Sequence, residues 1–213
     1  MNTLAREGIR AITFDVDGTL YDADRHRRRL WSHWLRHPRI LSAWPEAFES
    51  LRGERVSSAR EAACARVAAR LGVAPSAVRA VVDRALDEAW PAALRPALAF
   101  AGLPEVLAAL DAAGVPRAAV SDYPARAKLE ALGLAGGWAA VVDCGALGAL
   151  KPLPDGLRAA ARAMGVSPER VLHLGDRPDT DGEMAAAAGA RAWIRGRDYA
   201  DEAALLRRLR GGG

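Results

Sequence analysis

Lysine is almost missing from this chain: of 30 basic residues, 28 are arginine and only Lys128 and Lys151 are lysine. Arginine supplies the generic positive charge, so a retained lysine calls for a specific reason. Cysteine is equally sparse. Cys64 and Cys144 stand far apart, with no C-x-x-C and no histidine at metal-ligand spacing. That pattern excludes a disulfide framework and a zinc site and leaves both as small buried apolar residues. No apolar run approaches the roughly 20 residues that cross a bilayer, and the first ten residues lack the apolar stretch of a secretory signal. The expected location is the cytoplasm, with no membrane partner. A net charge of +4 is small for a chain with 30 basic and 26 acidic residues. It points to an anionic substrate, with no nucleic-acid partner expected.

What is present suits a globular enzyme. With 213 residues, 51% of them hydrophobic, the chain can form a core domain of about 140 residues plus a smaller insert. Short apolar runs at 11–14, 117–120, 139–142, 171–174 and 191–194 read as buried strands. Helical patterns at 103–113, 125–132, 154–164, 181–188 and 201–210 alternate with them, which predicts an α/β fold with a Rossmann-like parallel sheet joined by right-handed crossovers. The alternation breaks over 22–99, where helical patterns at 24–37, 45–52, 57–71 and 76–90 occur without a convincing strand. The expected organisation is a core of residues 1–21 and 100–213 with an inserted all-helical domain at 22–99.

Chemistry gathers at the ends of the strand segments. The first apolar run ends in Asp15-Val16-Asp17-Gly18-Thr19, and residues two apart in extended backbone project to one side, so Asp15 and Asp17 can serve one reacting centre. Ligands of open parallel sheets bind beyond the carboxyl ends of the strands, which is where this pair lies. Ser121 ends the second core strand, Lys151-Pro152 follows the third, and Asp176 with Asp181 follows the fourth. A carboxylate attacking a phosphate dianion meets like-charge repulsion, so this set calls for a divalent cation and a fixed ammonium. Asp15, Asp176 and a backbone carbonyl suit Mg²⁺, a hard ion that prefers oxygen, and Lys151 supplies the ammonium.

The DVDGT segment, the strand-end Ser, the Lys-Pro pair and the GDxxxxD segment, in that order, resemble the four motifs of the haloacid dehalogenase-like hydrolases. The resemblance covers the chain outside the insert. It implies that Asp15 is the nucleophile and forms an aspartyl phosphate, while Asp17 protonates the leaving oxygen and then activates water. It also implies that Thr19, Ser121 and Lys151 bind the transferring phosphoryl group, and that Asp15, the Asp17 carbonyl and Asp176 ligate Mg²⁺. Asp181 becomes an outer partner that orients Lys151 or a metal-bound water, and the insert resembles a helical cap of the C1 type. Dehalogenating members usually lack the second Asp of the pair, and phosphonate-cleaving relatives use a lysine in the insert, where this chain has none. The expected activity is hydrolysis of a small phosphorylated metabolite, such as phosphoglycolate or a sugar phosphate. A phosphomutase of the same superfamily is the alternative within enzymes, and a catalytically silent binding protein is the alternative outside them.

Each of these residues also has a blander explanation. Asp15 and Asp17 could form a solvated turn, Ser121 could be a turn former, and Lys151 a surface cation. Asp176 and Asp181 could decorate a helix N-terminus. An EF-hand frame fails, because it places Thr13 at the first ligand position and Asp24 at the last. Asp122 and Tyr123 could contact substrate, though Asp122 could equally cap the helix after Pro124, and His173, inside an apolar run, is expected to be a buried core histidine. The Arg-rich segment 25–39 could hold nucleic acid, but Leu30, Trp31, Trp34 and Leu35 fall on one helical face, the pattern of a packed helix. Arg25, Arg28 or Arg29 could still meet an anionic substrate tail.

Overall fold

The computed structural model describes residues 2–30 and 34–211. Five strands, β1 (Ala11–Phe14), β2 (Arg117–Ser121), β3 (Trp138–Asp143), β4 (Val171–Gly175) and β5 (Arg191–Ile194), form one sheet in the order β3-β2-β1-β4-β5. All four pairings are parallel. The expected strands fall within one residue of these bounds, because strands buried on both faces are written as short continuous apolar runs. Side chains alternate across the sheet. Ile12, Phe14, Leu172 and Leu174 pack with helices Leu103–Ala112 and Glu202–Arg210, whereas Ala11, Ala118, Val120 and Val171 pack with helices Asp155–Ala163 and Glu183–Ala188. Helices therefore cover both faces. A short helix, Asn2–Arg6, which the sequence pattern did not suggest, adds Leu4 to the first of these layers.

Parallel pairing delivers every strand's carboxyl end to the same edge. β1 lies at the centre, and the Asp15 N–H donates to the Leu174 carbonyl at 2.8 Å, so register is held one residue beyond the strand. The residue that leaves β1 is thereby fixed against the residue that is about to leave β4.

The chain departs and returns at one stem. Tyr21 and Ala99 form an isolated antiparallel bridge, and the Phe100 N–H donates to the Leu20 carbonyl at 3.0 Å. Between them the described residues form helices Ala23–Arg29, Pro38–Glu49, Ala59–Leu71 and Pro75–Asp83, the last continuing through a wider turn, Arg84–Ala89, into Trp90–Ala92. Trp44, Phe48, Val67, Val78 and Val82 form a separate apolar cluster, which Leu150 of the sheet-bearing part joins.

Two expectations in this segment need correction. The helix expected at 45–52 starts at Pro38, in a first-turn position that proline tolerates, and it runs through Pro45 to Glu49. The first helix of the pattern expected at 24–37 ends at Arg29, with Leu30 as the closing residue, and Trp34 is again helical. Leu30 is buried while Leu35 is 67% exposed, so the two do not share one packed face. Trp31 lies outside the described residues. Cys64 and Cys144 are free and buried, as expected.

Leu174 is fully buried between β1 and β5. Leu174→Ala is expected to cost about 2–5 kcal/mol, the range for truncating a packed leucine, measured as a lower midpoint in urea denaturation with the slope unchanged.

Candidate active site

Six of the seven residues expected at the site line one cleft of about 580 Å³: Asp15, Asp17, Ser121, Lys151, Asp176 and Asp181. Asp15 and Asp176 are the first residues beyond β1 and β4, Ser121 is the last of β2, and Lys151 follows β3. Asp181 sits in a wide helical turn, Pro178–Gly182. The seventh, Thr19, is buried, and its hydroxyl has no hydrogen-bond partner among the described residues. Gly18 makes the close approach of the two acidic loops possible. Its φ is +98°, and a Cβ there would lie 2.2 Å from Asp176 Oδ2.

Lys151 is the hub. Its ammonium, 4% exposed, donates to Asp15 Oδ1 and, at 2.8 Å, to Asp181 Oδ1. Burial alone would lower its pKa, but the two carboxylates outweigh that and hold it well above the ordinary lysine value. Asp181 is engaged on both oxygens. Oδ1 also meets His173 Nε2 at 3.1 Å, and Oδ2 accepts the backbone N–H groups of Asp176 and Arg177 at 3.2 and 3.1 Å. Burial would raise this carboxyl, yet Lys151 and His173 hold it well below the usual range. Asp15 goes the other way. Burial pushes it up, and the neighbouring Asp181 and Asp176 add to the shift against the opposing charge of Lys151. Asp176 is raised to about 6, by burial first and Asp181 second.

These directions describe an acidic cluster short of positive charge. The carboxylate oxygens of Asp15, Asp176 and Asp181 lie within 4.8 Å of one another, with one ammonium among them. Asp15 Oδ2 is buried and has no partner among the described residues. Oxygen donors, an excess of negative charge and an unsatisfied carboxylate oxygen fit a hard divalent cation such as Mg²⁺.

His173 is the buried histidine expected, fully enclosed, with Nδ1 2.9 Å from Thr13 Oγ1. Burial lowers its pKa below the ordinary value, so a neutral ring braces Asp181 from behind. Asp122 does not cap a helix. It accepts the Lys151 backbone N–H at 3.0 Å and Arg52 Nη1 at 2.8 Å, because the following helix, Arg126–Ala131, begins too far on for a side-chain cap from 122.

Several residues of the site were not foreseen. Asp17 accepts Lys128 Nζ on both oxygens, at 2.8 and 2.6 Å, and the Tyr21 hydroxyl on Oδ1. Trp90 Nε1 donates to that hydroxyl at 2.7 Å. The scarcity of lysine was the one signal available for Lys128. Arg27 and Trp34 of the Arg-rich segment also line the cleft, whereas Arg25 and Arg28 are exposed and do not.

The likeness to known proteins agrees with this geometry. A family model for haloacid dehalogenase-like hydrolases matches residues 9–189. The chain is 32% identical over 200 residues to a phosphoglycolate phosphatase of Rhodospirillum rubrum, covering 91% of this chain and 82% of that protein. Among solved structures, the CbbY protein of Rhodobacter sphaeroides in complex with phosphate superposes with a TM-score of 0.63 at 26% identity, covering 87% of this chain and 85% of that one. A β-phosphoglucomutase of Clostridium difficile superposes with a TM-score of 0.65 at 15% identity, covering 93% of this chain and 88% of that one, a likeness of fold.

Gly18→Ala adds a methyl group where Asp176 stands and forces a positive φ on an L-residue. The backbone cost is about 1–2 kcal/mol. The expected outcome is a folded protein with a slightly lower denaturation midpoint and a displaced Asp176, seen as lost protection by divalent cations in thermal melting.

Proposed function

We propose, for a chain that belongs to the haloacid dehalogenase-like hydrolases, that it is a Mg²⁺-dependent phosphatase acting on a small phosphorylated metabolite through an aspartyl phosphate. One observation carries the reading: a buried lysine bridges Asp15 and Asp181, and the second oxygen of Asp15 has no partner among the described residues in a cluster that includes Asp176. Asp15 attacks phosphorus, the ester P–O bond breaks, and its electron pair stays on the leaving oxygen, which takes a proton from Asp17. Water then gives a proton to Asp17 and attacks phosphorus. The bond to Asp15 breaks, phosphate leaves, and both carboxyl groups are restored. Splitting one displacement in this way replaces a hard step by two easier ones.

Asp15, Asp176 and the Asp17 carbonyl would hold Mg²⁺, which when bound offsets the charge of the phosphate dianion. Asp181, with both oxygens engaged, orients Lys151 and leaves the metal to its neighbours. Lys151, Ser121 and Thr19 bind the phosphoryl oxygens, and the buried unpaired hydroxyl of Thr19 supports that role. Residues 22–99 act as a cap over a core of 1–21 and 100–213. Closure excludes water and presents the organic part of the substrate to Trp44, Trp90 and Arg52. The relative's name makes phosphoglycolate a first substrate to test, with sugar phosphates beside it.

The protein is expected to release inorganic phosphate from members of a panel containing 2-phosphoglycolate, hexose phosphates and glycerol 2-phosphate, to lose that activity in EDTA, and to lose it in Asp15→Asn. Metal-independent release, or full activity in Asp15→Asn, overturns the mechanism; transfer within a sugar phosphate without release makes the protein a mutase. Mg²⁺ at about 100 times its dissociation constant is expected to stabilise the fold by about 2.7 kcal/mol. For a chain of this size that is roughly 5–10 °C in melting temperature, and Asp176→Asn is expected to abolish the shift.

A further inference from the structure

One buried lysine has no part in the chemistry just described. Lys128, on the helix Arg126–Ala131, is 2% exposed. Its ammonium lies 5.5 Å from the centre of the Trp90 ring and 5.4 Å from that of Tyr123, and it donates to both oxygens of Asp17. Burying an ammonium is costly unless it is paired and hydrogen-bonded, and two aromatic faces with one carboxylate meet that cost here. The composition sharpens the point. In a chain with 28 arginines the site retains a lysine, a compact point charge, between two rings.

The consequence falls on Asp17. A carboxylate on a short side chain can rotate about its bonds, and three hydrogen bonds, two from Lys128 and one from Tyr21, fix it in one orientation. Two of the groups that hold it are tied to the insert. Trp90 flanks the ammonium and donates to the Tyr21 hydroxyl, and Tyr123 stacks on Phe48 with ring centres 4.6 Å apart.

We infer that Lys128, held between Tyr123 and Trp90 of the insert, is a positioning residue that aims Asp17 at the leaving oxygen. The inference rests on the phosphatase reading and adds a residue to it. It makes a demand that a merely structural lysine does not. Proton delivery matters for an alkoxide leaving group and little for 4-nitrophenolate, which departs without a proton. Loss of the orienting group should therefore penalise alkyl esters selectively.

The experiment compares kcat/KM, which reports on steps up to departure of the leaving group, for 4-nitrophenyl phosphate and for the best alkyl phosphate of the panel. Lys128→Met is the first variant, since its unbranched apolar chain suits the aromatic cage. Lys128→Leu, which also removes the donor, takes its place if the methionine variant fails to melt cooperatively. General acid catalysis contributes about 10²–10⁴-fold. The alkyl ester is expected to lose at least about tenfold more than the aryl ester, a part of that contribution, since Asp17 itself is retained. Equal losses on the two esters, or no loss on either, overturn the inference. A wild-type protein that hydrolyses neither ester overturns the phosphatase reading instead.

Discussion

A single buried ammonium makes the rest of this site possible. Three carboxylates within 4.8 Å of one another would repel in any medium, and more strongly in a buried one. Lys151 removes the worst of that repulsion by standing between Asp15 and Asp181, and it divides the acids by function. Asp181 is held by Lys151, His173 and two backbone N–H groups, and it stays ionised. Asp15 shares the ammonium but keeps one oxygen without a partner among the described residues, and Asp176 is raised to about 6. A proton or a cation relieves the second pair, and the oxygen donors suit a hard divalent ion.

The sheet makes such a meeting of distant residues inexpensive. Asp15 and Asp176 are 161 positions apart in number, yet they leave adjacent parallel strands whose register matches Phe14 to Leu174. The Asp15 N–H to Leu174 carbonyl bond extends the match to the loop that carries Asp15 and Asp17. No long loop has to be ordered to bring them together, so the entropy of assembly is already met by the burial of the strands.

That same economy explains which parts could be read from the chain alone. Strands covered on both faces are short apolar runs, and a polar residue at the end of a run is conspicuous, so the sheet and the place of Asp15, Ser121 and Asp176 at its edge were legible. The insert was read as helical, but its bounds were not, because Pro45 sits inside a helix and the first helix ends at Arg29. For Asp122 the choice between a cap and a place in the cleft was open, because its partners, Arg52 and the Lys151 backbone, are tens of residues away. Lys128 is the instructive omission. It was noticed as one of two lysines, but it sits mid-pattern on a helix, 111 positions from Asp17, where no local spacing joins the two.

The contacts of the insert bear on the chemical groups themselves as well as on the rim of the cleft. Arg52 grips Asp122 and the Lys151 carbonyl, so it acts on the residue that carries the central ammonium. The Val56 N–H donates to the Gly148 carbonyl at 2.9 Å, and a side chain at 148 would collide with the Val56 carbonyl, so the approach is close enough to require glycine. On the opposite wall Trp90 reaches Asp17 through Tyr21. Movement of the insert would therefore disturb the hold on Lys151 and the hold on Asp17 at the same time. A cap that only shielded the cleft would need neither connection. These two connections tie the placement of Lys151 and the placement of Asp17 to the way residues 22–99 are seated on the sheet.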